Sequence, residues 1–220
     1  MLSRNKSVLI IGIGRFGSYL ACKFAELGNE VMVVDLAEDK INNLISIVTS
    51  AQIGDCTKEE VIQTLGVSNF DICFVCIGSN FQAAIEITTL LKEYGANYIV
   101  AKANTDLHEK ILIRNGVDEI VYPQKESANK TAMRMSYYNI LDYIELTNEY
   151  SILEIHPLES WIDKTIGQVD VREHYGLNII ATKVADKVFP LPGAKHVFKK
   201  NEQLIVIANK GDFINLLKKQ

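Results

Sequence analysis

Three glycines near the N-terminus have the spacing of a phosphate-binding loop. Gly12, Gly14 and Gly17 form the pattern G-x-G-x-x-G, directly after an apolar strand-like run and at the start of a helix-like segment. In this context the first glycine permits a tight turn, and the second lets backbone N–H groups approach a diphosphate. The third lets the helix pack closely on the strand, and the positive end of the helix dipole favours the anion.

An acidic residue follows at a matching distance. Asp35 lies 23 residues after Gly12, at the end of the second predicted strand, where a carboxylate can accept both ribose hydroxyls of an adenosine. The joint occurrence of loop and acid predicts nucleotide binding. In the alternative reading, the glycines make only a tight turn and Asp35 caps the next helix.

Two further strand ends carry candidate contacts, because ligands of open α/β sheets bind outside the carboxyl ends of the strands. Gly54 and Asp55 end the third predicted strand, and Gly78 ends the fourth. We expect Gly78 to line the crevice. The Asp55 carboxylate can meet an adenine amino group or cap the following helix, and both readings stay open.

No catalytic constellation accompanies these residues. The four histidines are scattered, and no Walker sequence or H-E-x-x-H motif occurs. We therefore expect a nucleotide sensor that is not an enzyme. The alternative is a small NAD(P)-dependent oxidoreductase, which would need a catalytic residue in roughly the last 70 positions. Cys73 and Cys76 form a C-x-x-C pair, but on a strand residues three apart point to opposite faces, so no redox or metal role is expected.

The elements that position these residues alternate regularly. Strand-like runs are separated by helix-like segments throughout roughly the first 120 residues, which predicts a parallel sheet with right-handed crossovers. The fold class is α/β, with a Rossmann-like doubly wound parallel sheet. The runs VLIIGI and ICFVCI are nearly continuous in apolar residues, as central parallel strands buried on both faces should be.

The pattern changes after Pro123. We predict one domain over residues 1–136, including a linker helix, and a small α+β domain over residues 137–220 with a terminal helix at Lys210–Lys218. A core of that size is marginal alone. We expect a second copy of the chain to complete it.

Composition excludes several classes of partner. The net charge is -4, so the chain is no basic module and nucleic acid is not an expected partner. The longest uncharged stretch, Ile72 to Ile85, is 14 residues, well short of the roughly 20 that span a bilayer. The chain is expected to be cytoplasmic, without a membrane span of its own.

The sequence resembles the RCK/KTN family of cytosolic regulators of bacterial potassium uptake channels. The likeness rests on VLIIGIGRFGSYLACKFAELGNEVMVVD, IGDCTKEEVIQTLGV, ICFVCIGSN and IVAKANTDLHEKILIRNGVDEIVYPQKE. It implies homodimers that assemble into a homo-octameric ring, which docks on a separate membrane potassium channel subunit. In such rings ATP favours the active state and ADP the inactive one, while some relatives use NAD or NADH.

The resemblance also implies roles for individual residues. Gly12, Gly14 and Gly17 form the loop, with Phe16 in its G-R-F-G sequence. Asp35 would hold the ribose and Asp55 would lie at the adenine. Arg15 would reach a phosphate across the dimer interface, and Lys102 would face the phosphates. A guanidinium beside the terminal phosphate is suited to report one extra negative charge.

One departure from the family concerns a cation. Relatives usually carry Pro-Glu-Lys-Asp after the sixth strand, where the glutamate helps to hold a cation beside the phosphates, whereas this chain has Pro123-Gln124-Lys125-Glu126. An amide offers an oxygen but no charge, so a divalent cation would be held less well unless Glu126 takes over. The metal site stays open.

The smaller domain resembles the C-terminal RCK module, which in several relatives binds cyclic di-AMP at a dimer interface. An arginine for phosphate beside apolar residues for adenine suits a twofold-symmetric dinucleotide. In the alternative reading, Arg172 pairs with Asp170 or Glu173 and the apolar residues form dimer core. The candidate second-site residues are Ile166, Asp170, Arg172, Tyr175, Asn178 and Pro192.

Overall fold

The computed structural model describes residues 5–136, 140–147, 149–209 and 211–212. The chain divides into two compact units, Met1–Gln124 and Lys125–Gln220. The sequence predicts that the helical segment Glu126–Ser136 belongs to the first domain, whereas this division groups residues from Lys125 onward with the second unit. The physical reason is local: Met133 packs against the second unit's core, and Lys130 Nζ lies 2.8 Å from Asp142 Oδ1.

The first unit alternates strands and helices as the sequence predicts. Its elements are β1 (Ser7–Ile11), α1 (Arg15–Glu26), β2 (Glu30–Asp35), α2 (Glu38–Asn42), β3 (Ser50–Ile53), α3 (Glu59–Leu65), β4 (Ile72–Val75), α4 (Phe81–Glu93), β5 (Ile99–Lys102), α5 (Asp106–Arg114) and β6 (Glu119–Val121), followed by α6 (Pro123–Ser136). The strands form one parallel sheet in the order β3-β2-β1-β4-β5-β6. The predicted doubly wound α/β fold is confirmed.

The central strands are buried on both faces. Leu9 and Ile11 of β1 belong to one apolar cluster, whereas Val8 and Ile10 belong to the cluster on the other face. All four are at most 2% exposed. Burying such a side chain stabilises the fold by about 1.5–3 kcal/mol, which explains why these strands read as continuous apolar runs.

The C-x-x-C pair is split by the same geometry. Cys73 packs in the cluster that contains Leu9, and Cys76 packs in the cluster that contains Val8. Burial raises the pKa of both thiols to about 12. The prediction that these cysteines point to opposite faces is confirmed, and both thiols are protonated at neutral pH.

The strand order places a topological switch point between β1 and β4. From β1 the chain proceeds to β2 and β3 on one side, and it then returns to β4, β5 and β6 on the other. A crevice opens at the carboxyl ends of strands where the winding reverses. The loops after β1, β2, β3 and β4 meet there.

The second unit is a small antiparallel domain. Its strands are β7 (Ile140–Glu145), β8 (Tyr150–Ile155), β9 (Leu177–Val184), β10 (Lys187–Pro190) and β11 (Gln203–Asn209), and its short helices are α7 (Ile166–Val169) and α8 (Val171–Tyr175). The sheet order is β10-β9-β11-β8-β7, around a core that contains Trp161 and Phe198. The predicted small α+β domain is confirmed. The predicted terminal helix lies outside the described residues except at positions 211–212.

Candidate functional site

A cavity of about 220 Å³ lies at the carboxyl edge of the parallel sheet. Every loop that follows β1, β2, β3 or β4 contributes to its wall. The lining residues include Gly12, Gly14, Asp35, Lys40, Asp55, Cys56, Thr57, Cys76 and Gly78.

The three loop glycines meet different surroundings. Gly12 has φ +95°, and a Cβ there would lie 2.9 Å from Ile77 Cγ1. A Cβ on Gly17 would lie 2.2 Å from the carbonyl oxygen of Gly12. At Gly14 nothing lies within 4 Å of an added Cβ. Gly12 and Gly17 are therefore required by the fold, whereas Gly14 faces open space.

The N-terminus of α1 opens beside this loop. Gly14 is its N-cap residue, and within the described chain no side chain caps the helix. The first backbone N–H groups of an α-helix have no partner inside the helix, so this end suits an anion. Arg15 is exposed at the first helical position, whereas the Phe16 side chain packs against the cluster that contains Val8.

Asp35 is held by donors from three directions. Its Oδ2 accepts a hydrogen bond from the Ile13 N–H at 2.6 Å, its Oδ1 accepts one from the Ala37 N–H at 2.9 Å, and Lys40 Nζ contacts both oxygens. Burial alone would raise the pKa of Asp35, but these hydrogen bonds and the Lys40 charge outweigh it and lower the pKa below 3.8. The carboxylate is ionised at neutral pH.

Asp55 stands in a local turn on the cavity wall. Its Oδ1 accepts hydrogen bonds from the Thr57 N–H at 3.0 Å and from Thr57 Oγ1 at 2.7 Å. These bonds lower the pKa of Asp55. Helix α3 begins after Lys58 without a side-chain cap, and α2 begins after Ala37 in the same way. The alternative in which Asp35 and Asp55 are helix caps is therefore not what the structure shows.

The ends of β4 and β5 meet beside the cavity. Gly78 lines the cavity, and a Cβ built on it would lie 3.0 Å from Lys102 Nζ. Asn104 Nδ2 donates to the Gly78 carbonyl oxygen, and Asn80 Oδ1 accepts from the Ala83 N–H at 3.1 Å, capping α4. Lys102 thus places a cation beside the Gly78 segment.

Sequence reasoning missed several lining residues. Lys40, Cys56, Thr57 and Cys76 all line the cavity. A strand-end position was the only available signal for Cys76, and its apolar neighbours masked it. Cys56 directly follows Asp55, so its place on the wall could have been predicted from that candidate. Burial together with nearby Asp55 and Asp35 raises the pKa of Cys56 to about 12, so this thiol is protonated at neutral pH.

The candidate cation ligands are not gathered into a cluster. Gln124 and Glu126 lie in the first turn of α6. Within the described ranges, no three His, Cys, Asp or Glu side chains are grouped to hold a metal ion.

The six second-site residues fall into two groups. Ile166 and Tyr175 pack against the second unit's core, and the Tyr175 ring centroid lies 5.1 Å from that of Trp161. Asp170, Arg172 and Asn178 are exposed, and Pro192 is partly buried. The polar side chains of Asp170, Arg172 and Asn178 are thus accessible at the surface.

The fold and cavity define a Rossmann-type domain followed by a small antiparallel domain. Two family models match these parts: the TrkA-N domain at residues 8–123 and the TrkA-C domain at residues 151–219. The chain therefore belongs to the RCK/KTN family of TrkA-N and TrkA-C domain proteins, which confirms the resemblance found in the sequence.

Individual relatives agree with this assignment. The chain is 41% identical to Ktr system potassium uptake protein C of Bacillus subtilis, over 94% of both chains. It is 35% identical to Ktr system potassium uptake protein A of the same organism, over 95% of this chain and 94% of the other. The crystal structure of the GsuK RCK domain shares the fold, with a TM-score of 0.66 at 18% identity over 99% of this chain and 48% of that chain.

Over the described ranges, no helix combines the length and the apolar character needed to cross a bilayer.

Proposed function

We propose that this chain is a cytoplasmic regulatory subunit of a potassium transport system and that it senses an adenine nucleotide in the cavity of its first unit. The observation that carries the proposal is the cavity itself, built on the glycine loop and Asp35, in a chain 41% identical to a Ktr potassium uptake protein. The membrane partner is a separate potassium channel subunit. The chain sits at the inner face of the membrane through that partner.

The residues present fit a nucleotide. Open space at Gly14 and the uncapped N-terminus of α1 suit a diphosphate. The carboxylates of Asp35 and Asp55 supply acceptors for ribose hydroxyls and for an adenine amino group, and Lys102 supplies a cation. We favour ATP and ADP. NAD and NADH are the second choice, because a GsuK channel structure with a TM-score of 0.65 is bound to NAD.

The cavity wall supports sensing over catalysis. It contains no histidine among the described residues that line it. Its two cysteines, Cys56 and Cys76, have a pKa of about 12, so neither supplies an ionised nucleophile near pH 7. The wall provides carboxylate acceptors, a glycine loop and the Lys40 ammonium, which suit binding and orientation of a nucleotide.

Assembly belongs to the second unit in this proposal. Both edge strands of its sheet expose apolar side chains: Val188 and Phe189 on β10 and Ile144 on β7 are each at least 52% exposed. Exposed apolar edges favour pairing with another copy. We propose a homodimer that builds a homo-octameric ring and that binds cyclic di-AMP through Arg172.

Calorimetric titration of ATP, ADP and NAD tests the nucleotide site. Wild-type protein is expected to bind at least one of them. Gly14→Ala places a methyl group where the diphosphate must pass, so it should weaken binding by about tenfold or more. Gly193→Ala is the matched control, because an added Cβ there also meets nothing within 4 Å. Absence of binding to the wild type, or equal binding to all three proteins, would reject the site.

A further inference from the structure

The Asp35 carboxylate has no free acceptor position. A carboxylate offers about four lone-pair sites, two on each oxygen. Oδ2 receives the Ile13 N–H at 2.6 Å and Lys40 Nζ at 3.2 Å. Oδ1 receives the Ala37 N–H at 2.9 Å and Lys40 Nζ at 3.1 Å. A ribose hydroxyl can therefore bind Asp35 only if one of these donors leaves.

The two backbone donors are fixed by the fold. Ile13 is 4% exposed, and the preceding residue is tied down because the Gly12 N–H donates to the Val34 carbonyl oxygen at 2.9 Å. Withdrawing Asp35 would leave this buried N–H without a hydrogen-bond partner, which folded proteins rarely tolerate. The Ala37 N–H is likewise fixed, since Ala37 is the N-cap residue of α2.

Lys40 is the donor that can leave. Its side chain is 43% exposed, whereas that of Asp35 is 9% exposed. An ammonium on a flexible stem regains full hydration in water, so the half-exposed Lys40 side chain loses little when it leaves. Lys40 also lines the cavity, so it stands where the ribose would enter.

We propose that Lys40 is an exchangeable counterion of Asp35, which the ribose hydroxyls displace when a nucleotide binds. Lys40 then sets ribose specificity. Because each hydrogen bond from a ribose hydroxyl to Asp35 replaces an existing bond from Lys40, Lys40 lowers the net binding free energy that each hydroxyl contributes. This inference rests on the proposed nucleotide site and adds a specificity-determining residue to it.

The test compares ATP with 2′-deoxy-ATP. The two ligands carry the same charge, so a general attraction of lysines for phosphate affects both equally. The dissociation constant of 2′-deoxy-ATP divided by that of ATP therefore reports the contribution of the 2′-hydroxyl. Lys40→Met should raise this ratio by about 3- to 10-fold, the factor that one net hydrogen bond corresponds to. Lys40→Gln, which keeps a neutral donor, should raise the ratio by less.

Lys58→Met is the matched control. Lys58 is exposed and precedes α3 beside Asp55, so its removal takes the same charge from the cavity rim without touching Asp35. The ratio of the 2′-deoxy-ATP and ATP dissociation constants for Lys58→Met should equal that of the wild type. An unchanged or lower ratio in Lys40→Met would overturn the proposal, a lower ratio meaning that Lys40 itself holds the ribose. If the wild type binds neither ligand, the proposed nucleotide site fails first and this inference fails with it.

Discussion

Asp35 both holds the glycine loop and offers the acceptors of the candidate ribose site. The hydrogen bond from the Ile13 N–H ties the loop after β1 to the end of β2. Replacement of Asp35 by alanine would therefore disturb the loop as well as the ligand contact. Loss of ligand affinity in that variant would not isolate the ribose, which is why ligand analogues give a cleaner measurement than Asp35→Ala.

The ionisation of Asp35 has a consequence for stability. In the folded protein the pKa of Asp35 lies below its ordinary value of 3.8. The ionised carboxylate therefore stabilises the fold fully above that ordinary value, and this contribution is lost as the pH falls through the native pKa. Asp35→Asn should be less stable than the wild type at about pH 7, and the difference should shrink with acidification. Urea unfolding of both proteins between about pH 7 and pH 3 measures it. A constant difference would show that the Asp35 charge does not contribute.

Gly17 and Gly14 should respond differently to the same substitution. In Gly17→Ala the new Cβ would lie 2.2 Å from the Gly12 carbonyl oxygen, so α1 must move, at a cost of about 1–3 kcal/mol or more. Gly14→Ala should keep its free energy of unfolding within about 0.5 kcal/mol of the wild type. Chemical denaturation of the two variants checks both values. Equal stabilities would contradict the close packing of α1 on the loop.

At the scale of elements, the hydrophobic pattern was sufficient to predict a strand where both faces of that strand are buried. The runs that became β1 and β4 are buried on both faces, so their strand character could be predicted from sequence. Helix α2 ends at Asn42, and hydrogen-bonded turns follow it, with the Ile47 N–H bonded to the Leu44 carbonyl oxygen at 2.8 Å. Strand β10 escaped prediction since all four of its residues are exposed, which removes the alternation that marks a strand.

The α7–α8 segment makes the second candidate site testable apart from the first. Arg172 is exposed on α8, so Arg172→Ala should leave the fold intact while abolishing any binding of cyclic di-AMP. ATP binding to the first unit should not change. Titration with labelled cyclic di-AMP measures this, with Arg114→Ala, an exposed arginine of the first unit, as the matched control. Cyclic di-AMP binding that survives in Arg172→Ala would contradict the assignment.

At the scale of the whole molecule, the sequence predicted the architecture better than the site chemistry. The parallel, doubly wound sheet follows from the alternation of strands and helices, and Gly12, Asp35, Asp55 and Gly78 do meet at one cavity. The Lys40 contact could not be predicted, because it depends on how a flexible side chain folds back from α2 onto the end of β2. Cross-subunit roles such as that of Arg15 lie beyond one chain's geometry and stay predictions.

Arg15 is predicted to couple nucleotide identity to assembly. A ligand shifts an equilibrium only by its differential binding to the two states, so in the proposed ring ATP and ADP would have to bind two ring shapes with different affinities. Arg15→Ala should reduce the difference in binding free energy between ATP and ADP by about 1–3 kcal/mol. The contribution of the ribose to nucleotide affinity should not change. Titrations with and without magnesium, combined with scattering to follow ring shape, measure it. Gln124→Glu should strengthen the effect of the cation on ATP affinity.

An unchanged ATP/ADP ratio in Arg15→Ala would leave Arg15 as a surface charge at the start of α1. Scattering would then show the same nucleotide response in variant and wild type. The phosphate-sensing group would have to lie elsewhere on the cavity wall.

The most direct test of the account is potassium uptake itself. Cells that lack their own potassium uptake would express the membrane subunit of a Ktr system alone, with this chain, or with its Gly14→Ala or Gly193→Ala variant. The account predicts that uptake rises with the wild type and with Gly193→Ala, and that Gly14→Ala, although folded, does not support it. Uptake that is the same without the chain, or undiminished in Gly14→Ala, would contradict nucleotide-dependent regulation of potassium transport.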